Sequence, residues 1–346
     1  MEPSATKEQI DTVVKALRNK GFKIVLNQGD VMTVIAAIGD KRLVEPHSFQ
    51  SYEGVRSVKL IQEPYKLASR EAKQEDTVIE FSNGVRIGGL EKPVLMVGPC
   101  CVEKDLDGLL RVADAAKEMG CHFLRGGAFK PRTSPYDFQG LEEKALEYLA
   151  IAREKTGLLI VTELMDTLDL DLVCQYTDII QIGARNMQNF KLLHAVGKCN
   201  KPVILKRGAA ATIREFLLAA EHIMYNGNDK VILCERGIKG VDNNATRNTM
   251  DIASVPVIKK YSHLPVIVDP SHGTGRRYLI EPMAKAGLIV GAHGVMMEVH
   301  HDPENASSDG AQSLSIPMFK EVAKHLNKLI GRIDYDNKHS KEVCRV

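Results

Sequence analysis

Cys121-His122-Phe123-Leu124-Arg125-Gly126-Gly127-Ala128-Phe129-Lys130-Pro131-Arg132-Thr133-Ser134-Pro135-Tyr136-Asp137-Phe138-Gln139-Gly140 opens on a short apolar run that predicts a strand. From Leu141 to Lys155 apolar residues return at helical spacing. The stretch between is therefore a loop at the carboxyl end of a strand, the usual place for function in α/β proteins. Arg125, Lys130 and Arg132 bring three cations into eight residues, beside the hydroxyls of Thr133 and Ser134. Gly126 and Gly127 permit close backbone approach, and Pro131 and Pro135 stiffen the path. Cations with adjacent hydroxyls suit a phosphate. A solvated basic loop is the plainer alternative.

Strand and helix patterns alternate on both sides of this stretch. The strands expected are Val94–Val97, His122–Leu124, Leu159–Thr162, Ile179–Ile182, Val203–Lys206, Val231–Cys234, Val266–Val268 and Gly294–Glu298, with a last helix from Pro317 to Ile330. Eight strands over roughly 240 residues fit an α/β fold of the (β/α)8 TIM barrel type. An open doubly wound sheet is the structural alternative. Val78-Ile79-Glu80-Phe81 and Val85-Arg86-Ile87-Gly88 flank Ser82-Asn83-Gly84, a hairpin signal placed to cap the barrel.

Before the barrel, Ile10, Val13, Val14 and Leu17 mark a helix over 5–20. Strands are expected near 22–26 and 32–38, a short helix over 41–52, and a strand over 55–61. That order matches a ferredoxin-like β-α-β-β-α-β unit without its first strand, because the sequence starts at Met1-Glu2-Pro3-Ser4. Either the true start lies upstream or the unit is incomplete. The expected limits are 1–65 for this small α+β domain, 66–92 for a linker and the capping hairpin, 93–330 for the barrel, and 331–346 for a polar tail.

Composition is ordinary for a soluble globular protein, with 26% charged and 44% hydrophobic residues in 346. A net charge of +2 gives no reason to expect nucleic-acid binding. No apolar run approaches the roughly 18 residues of a membrane span. The N-terminus has no basic-then-apolar signal, so a cytoplasmic location is expected. Seven irregularly spaced cysteines do not suggest a disulfide framework.

The strand ends carry the chemistry. Arg125, Lys130, Arg132, Arg185, Lys206 and Arg236 all fall on one rim of a barrel whose chain is almost neutral. Converging cations repel one another unless anions occupy the site. For any one of them an ordinary ion pair is equally reasonable. Cys100, His272, Glu298 and Asp309 follow strands one, seven and eight, which a closed barrel brings together. Thiolate, imidazole and two carboxylates suit a divalent metal of the Mn, Fe, Co or Zn class. Packing is the plainer role for a single Cys after a strand. His300, His301 and His293 are rivals for the imidazole position, and His293 also suits a structural hydrogen bond.

Residues from about 92 to 330 closely resemble the 3-deoxy-7-phosphoheptulonate (DAHP) synthases of type I-beta. The resemblance rests on Gly98-Pro99-Cys100, Arg125-Gly126-Gly127, Lys130 to Gly140, Gln181-Ile182-Gly183-Ala184-Arg185-Asn186, Lys206-Arg207-Gly208, Asp269-Pro270-Ser271-His272 and Ser308-Asp309-Gly310. The N-terminal unit and Pro64-Tyr65-Lys66-Leu67-Ala68-Ser69-Arg70 resemble that branch's regulatory domain and linker. The related 3-deoxy-manno-octulosonate 8-phosphate synthases usually carry Asn where this chain has Arg132-Thr133, so the loop favours DAHP synthase. Cys101 stands where the family commonly has Ser and puts a second thiol beside a ligand, which raises oxidation sensitivity.

The resemblance implies metal-dependent condensation of phosphoenolpyruvate with erythrose 4-phosphate. It implies that Arg125, Lys130, Glu163, Ala184, Arg185, Lys206 and Arg236 hold phosphoenolpyruvate. Arg132, Thr133, Ser134 and Asp309 then hold erythrose 4-phosphate. Cys100, His272, Glu298 and Asp309 bind the metal, and Lys130, Cys100 and His272 are the catalytic group. A Schiff-base aldolase using Lys130 or Lys206 is the rival enzyme reading. Arabinose 5-phosphate is the substrate of the octulosonate alternative. The N-terminal unit is expected to sense tyrosine or phenylalanine within a homotetramer, or else only to oligomerise.

Overall fold

The computed structural model describes the chain apart from residues 29–32, 41–44, 46, 60–62, 131–135, 137, 243 and 344–346, and apart from the side chains of 27, 28 and 334–343. It comprises two compact units: Met1–Glu75 with Tyr261–His263, and Asp76–Lys260 with Leu264–Val346.

In the first unit, α1 (Lys7–Asn19) starts at a capping box in which Thr6 and Gln9 satisfy each other's backbone amides. Its buried stripe is Ile10, Val13, Val14 and Leu17, at the spacing of one helical face. β1 (Lys23–Gln28) and β2 (Thr33–Ile38) pair antiparallel, and α2 (His47–Gln50) is a single turn. Val13, Leu17, Phe22 and Phe49 form the centre of a small core, with Met1, Val55 and Val58 packed against it. Of the helix expected over 41–52, the described residues form α2, and 41–44 and 46 lie outside the described residues.

The strand expected over 55–61 does not form over 55–59, and 60–62 lie outside the described residues. The reason is pairing. In a complete β-α-β-β-α-β unit the last strand bonds to the first. Here residues 1–5 form no strand. Two bonds stand in its place: the Met1 ammonium donates to Thr33 O at 2.8 Å and Glu2 N to Gly54 O at 2.7 Å.

In the second unit a hairpin of β3 (Ile79–Glu80) and β4 (Arg86–Ile87) precedes the barrel. The barrel strands are β5 (Val94–Gly98), β6 (Phe123–Arg125), β7 (Leu159–Glu163), β8 (Ile179–Ile182), β9 (Val203–Lys206), β10 (Val231–Glu235), β11 (Val266–Val268) and β12 (Gly294–His300). All eight are parallel neighbours in sequence order. β12 closes the ring on β5, with Gly294 opposite Val94 and Glu298 opposite Gly98. Their runs are almost wholly buried, as expected for strands covered on both faces.

The connecting helices are α3 (Leu106–Glu118), α4 (Glu143–Thr156), α5 (Leu170–Tyr176), α6 (Phe190–Val196), α7 (Ile213–Tyr225), α8 (Ser254–Tyr261), α9 (Pro270–Thr274) and α10 (Ile280–Ile289). A short strand, β13 (Leu314–Ser315), extends the sheet beside β12. α11 (Ile316–Val343) then continues past the expected end at Ile330. No helix among the described residues is long and apolar enough to cross a membrane.

Ile79, Phe81 and Ile87 of the hairpin pack into one core with Val94, Phe123, Leu159, Ile179 and Ile267. Phe81 meets Phe123 edge-on, with ring centroids 5.1 Å apart. Apolar side chains thus fill the amino ends of the strands. Several strands run one residue further than expected, so Arg125, Glu163 and Glu235 are themselves the last strand residues.

Candidate active site

Polar groups gather at the opposite rim, beyond the carboxyl ends of the strands. Arg125 is 3% exposed. Its Nη1 donates to Pro99 O at 2.6 Å and to Glu298 Oε1 at 3.2 Å. Its Nε has no partner among the described residues. An unsatisfied buried N–H costs about 1–3 kcal/mol, so this donor marks a position for a ligand acceptor. The approach of β5 to β6 is tight here: a Cβ at Gly98 would lie 1.9 Å from Arg125 O. Glycine is the residue that fits.

Lys206, the last residue of β9, is buried and donates to Asp269 Oδ2 at 2.6 Å. The same oxygen lies 2.7 Å from His272 Nδ1, and Asp269 Oδ1 caps α9 through His272 N at 3.0 Å. Asp269 therefore directly follows β11, caps α9 and orients an imidazole. Burial alone would raise its pKa, but His272 and Lys206 outweigh burial and hold it well below the usual carboxylate range. With Nδ1–H directed at Asp269, His272 Nε2 faces Glu298 Oε1 at 3.1 Å.

Glu298 is also fully buried. Burial again works against its charge, and His272, Arg125 and Lys130 together hold it ionised below the ordinary range. Gln312 Nε2 donates to its second oxygen at 2.5 Å, and Ser271 Oγ accepts its backbone N–H at 2.9 Å. Cys100 Sγ lies 2.9 Å from Lys130 Nζ and 2.9 Å from Asp309 Oδ2. Burial, with Glu298 nearby, pushes the free thiol's pKa upward. Asp309 adopts the left-handed conformation, φ 53° and ψ 28°, which Asp tolerates better than most residues. Arg247 Nη1 binds its other oxygen at 3.2 Å.

One ligand atom from each of Cys100, His272, Glu298 and Asp309 lies within 4.8 Å of the others. The fit to a metal ion rests on two observations. The donors are a thiol, an imidazole and two carboxylates, and Asp269 fixes the tautomer that leaves Nε2 of His272 facing the cluster. The rival imidazoles are engaged elsewhere. His300 Nε2 is 3.5 Å from Glu103, and His301 Nε2 is 3.0 Å from Asp105. His293 Nδ1 accepts the Val266 amide at 3.0 Å, at the amino ends of the strands.

Glu163 accepts from Gln181 Nε2 at 3.1 Å. A Cβ at Gly183 would stand 2.0 Å from Glu163 Oε1, so glycine leaves room for that carboxylate. Ala184 and Arg185 belong to the single 3-10 turn Ala184–Asn186 after β8, where Arg185 is exposed. Arg236 follows β10 and is half-buried; burial lowers its pKa, which an anion would reverse. Arg132, Thr133 and Ser134 lie outside the described residues. Arg207, next to Lys206, is an internal ion pair, with Glu235 at 2.9 Å and Asp251 at 2.8 Å.

The model of the DAHP synthetase I family matches residues 76–334. The chain belongs to the DAHP synthetase I family. A second family model, the DAHP synthase ferredoxin-like domain, matches residues 1–63. The phospho-2-dehydro-3-deoxyheptonate aldolase of Thermotoga maritima is 51% identical over 329 residues, 95% of this chain and 96% of that protein. A crystal structure of that DAHP synthase superposes with a TM-score of 0.77 at 50% identity, covering 96% of each chain. The 2-dehydro-3-deoxyphosphooctonate aldolase of Desulfotalea psychrophila is more distant, 30% identical over 71% of this chain and 93% of its own length.

Sequence reasoning missed Asp269, Gln312 and Arg247 as members of the site. Asp269 had a signal, an Asp directly before Pro270-Ser271-His272, but in sequence it reads as a helix cap. Gln312 and Arg247 carry no local signal.

Proposed function

We propose that the chain condenses phosphoenolpyruvate with erythrose 4-phosphate and water, giving DAHP and inorganic phosphate. That reaction opens the shikimate route to chorismate and the aromatic amino acids. The observation that carries the reading is the buried Arg125, with its unsatisfied Nε beside the four-ligand cluster.

Arg125, Lys206 and Arg236 provide the positive charge for the phosphate and carboxylate of phosphoenolpyruvate. Lys130, Glu163, Ala184 and Arg185 complete that subsite. Arg132, Thr133, Ser134 and Asp309 take the erythrose 4-phosphate. Cys100, His272, Glu298 and Asp309 hold a divalent metal of the Mn, Fe, Co or Zn class, which when bound supplies Lewis-acid polarisation of the aldehyde. C3 of phosphoenolpyruvate attacks the aldehyde carbon, water adds at C2, and the hemiketal phosphate expels phosphate. Lys130 keeps its proton despite burial, with its Nζ donating to the Cys100 sulfur at 2.9 Å and the Glu298 carboxylate favouring the charged ammonium. Its Nζ is therefore the donor we assign to the developing hydroxyl. Asp269 keeps His272 in one tautomer throughout.

The substrate comparison tests this. Phosphate release should require phosphoenolpyruvate and be fast with erythrose 4-phosphate and poor with arabinose 5-phosphate. Equal use of the two sugars would move the chain to the octulosonate chemistry.

The 1–65 unit is, in this reading, an aromatic amino-acid sensor of a cytoplasmic homotetramer whose catalytic barrel spans 93–330. Tyrosine or phenylalanine should slow the intact chain, and deletion of 1–65 should remove that inhibition while catalysis survives. If neither amino acid changes the rate, an oligomerisation role remains for the unit.

A further inference from the structure

The chain between β10 and α8 closes on itself at its root. Glu235 Oε1 accepts Gly237 N at 2.7 Å and Asp251 N at 3.3 Å, and Ile238 and Thr249 form an antiparallel bridge just beyond. Further out, the loop lies against α9. Arg247 N donates to Thr274 O at 2.8 Å and Asn248 N to Gly273 O at 3.1 Å. Asn248 Nδ2 donates to His272 O at 3.1 Å. Gly275, left-handed at φ 66°, permits this approach: a Cβ there would lie 2.7 Å from Arg247 Cβ. The backbone of Arg247 is thus held at the helix that carries His272.

Its side chain reaches the segment after β12. Nη1 lies 3.2 Å from Asp309 Oδ1 and 3.1 Å from Gln312 Oε1. A guanidinium only donates, so it meets the amide oxygen of Gln312 and leaves Nε2 of that amide for Glu298 Oε2. Gln312 is 3% exposed. Turned over, its amide would set N–H groups against the guanidinium and an oxygen against the carboxylate, leaving buried groups unpaired.

We propose that Arg247 is a positioning residue that presets both carboxylates of the metal site; the proposal rests on the metal reading of that cluster. With Oδ1 held by Arg247, Oδ2 is the Asp309 oxygen beside Cys100 Sγ, at 2.9 Å. With Oε2 held through Gln312, Oε1 is the Glu298 oxygen facing His272 Nε2, at 3.1 Å. One cation thereby sorts the oxygens of two ligands on different elements, as Asp269 sorts the nitrogens of His272. Partners outside the ligands raise metal affinity in this way, by fixing ligand orientation before the ion arrives.

The test is zinc affinity, read on the zinc-loaded full chain by titration with a chromophoric chelator and without substrates. Cys100→Ala, which removes a ligand, identifies the site being titrated. Arg247→Gln should hold zinc about 10- to 100-fold more weakly than the wild type. Arg247→Lys keeps the charge on a single head group without the planar fork, and should fall between the two. In a Gln312→Met background Arg247→Gln should cost less, because one of its two routes is already gone. Denaturant midpoints of the metal-free proteins check that the variants fold. Wild-type zinc affinity in folded Arg247→Gln overturns the proposal; if phosphoenolpyruvate binding is then weakened, Arg247 is a substrate contact instead. Should Arg247→Gln fail to fold, Arg247→Lys carries the test, and wild-type affinity in it overturns the proposal. A wild-type chain that binds no zinc at the cluster overturns the metal reading itself, and this proposal with it.

Discussion

At the carboxyl ends of the barrel strands Asp269 and Glu298 are buried and ionised; near the amino ends His293 is buried and neutral. Burial opposes charge in all three. At the rim, Lys206, Arg125 and His272 surround the carboxylates and reverse that effect. At the other end the Asp76 carboxylate works in the same direction on His293 but does not outweigh burial. Burial, aided by the Lys259 charge, pushes it down to about 4. Its ring accepts the Val266 amide, between the starts of β11 and β12. One end thus gathers charged groups around a cluster that could hold a metal ion. The other keeps its buried imidazole neutral and closes with the apolar hairpin core.

Acid should expose this difference. The unfolded chain protonates His293 near its ordinary pKa, about 6.5, whereas the folded ring takes a proton only near 4. Stability contributed by the neutral ring is therefore present above pH ~6.5 and falls as pH drops toward about 4, by roughly 3 kcal/mol across the window. His293→Asn keeps an acceptor for the Val266 amide and removes the titration. Denaturant midpoints between pH 7 and 4.5 should fall less steeply in the variant. Identical slopes would mean that His293 is already charged in the native state.

At the rim the smaller effect comes from Asp269. Asp269→Asn removes the charge that holds Lys206 and fixes the His272 tautomer. Loss of such a supporting group typically weakens metal binding by about 10- to 100-fold, or roughly 1.4–2.7 kcal/mol. A metal-chelator competition titration measures this, and unchanged affinity would remove Asp269 from the orienting role.

Much of this was legible in the chain. The barrel strands are continuous apolar runs closed by Gly, Pro or charge, and buried parallel strands leave such a signature. The convergence of Cys100, His272, Glu298 and Asp309 followed from strand order once the ring was taken as closed. What escaped was long-range pairing. Asp269 looks like a cap because its contact with Lys206 spans two strands. The strand expected over 55–61 has the right apolar residues, yet 55–59 pack through Val55 and Val58 without a ladder partner.

The central claim is that the four-ligand cluster at the rim is the metal centre of the condensation. The direct measurement is turnover of phosphoenolpyruvate with erythrose 4-phosphate before chelation, after verified metal removal, and after readdition of a divalent metal. Cys100→Ala and His272→Ala are run alongside. The account predicts activity lost with the metal and restored by it, with both variants folded, metal-poor and inactive. Full turnover of the metal-free protein, with substrate trapped on Lys130 or Lys206 by borohydride, would contradict it.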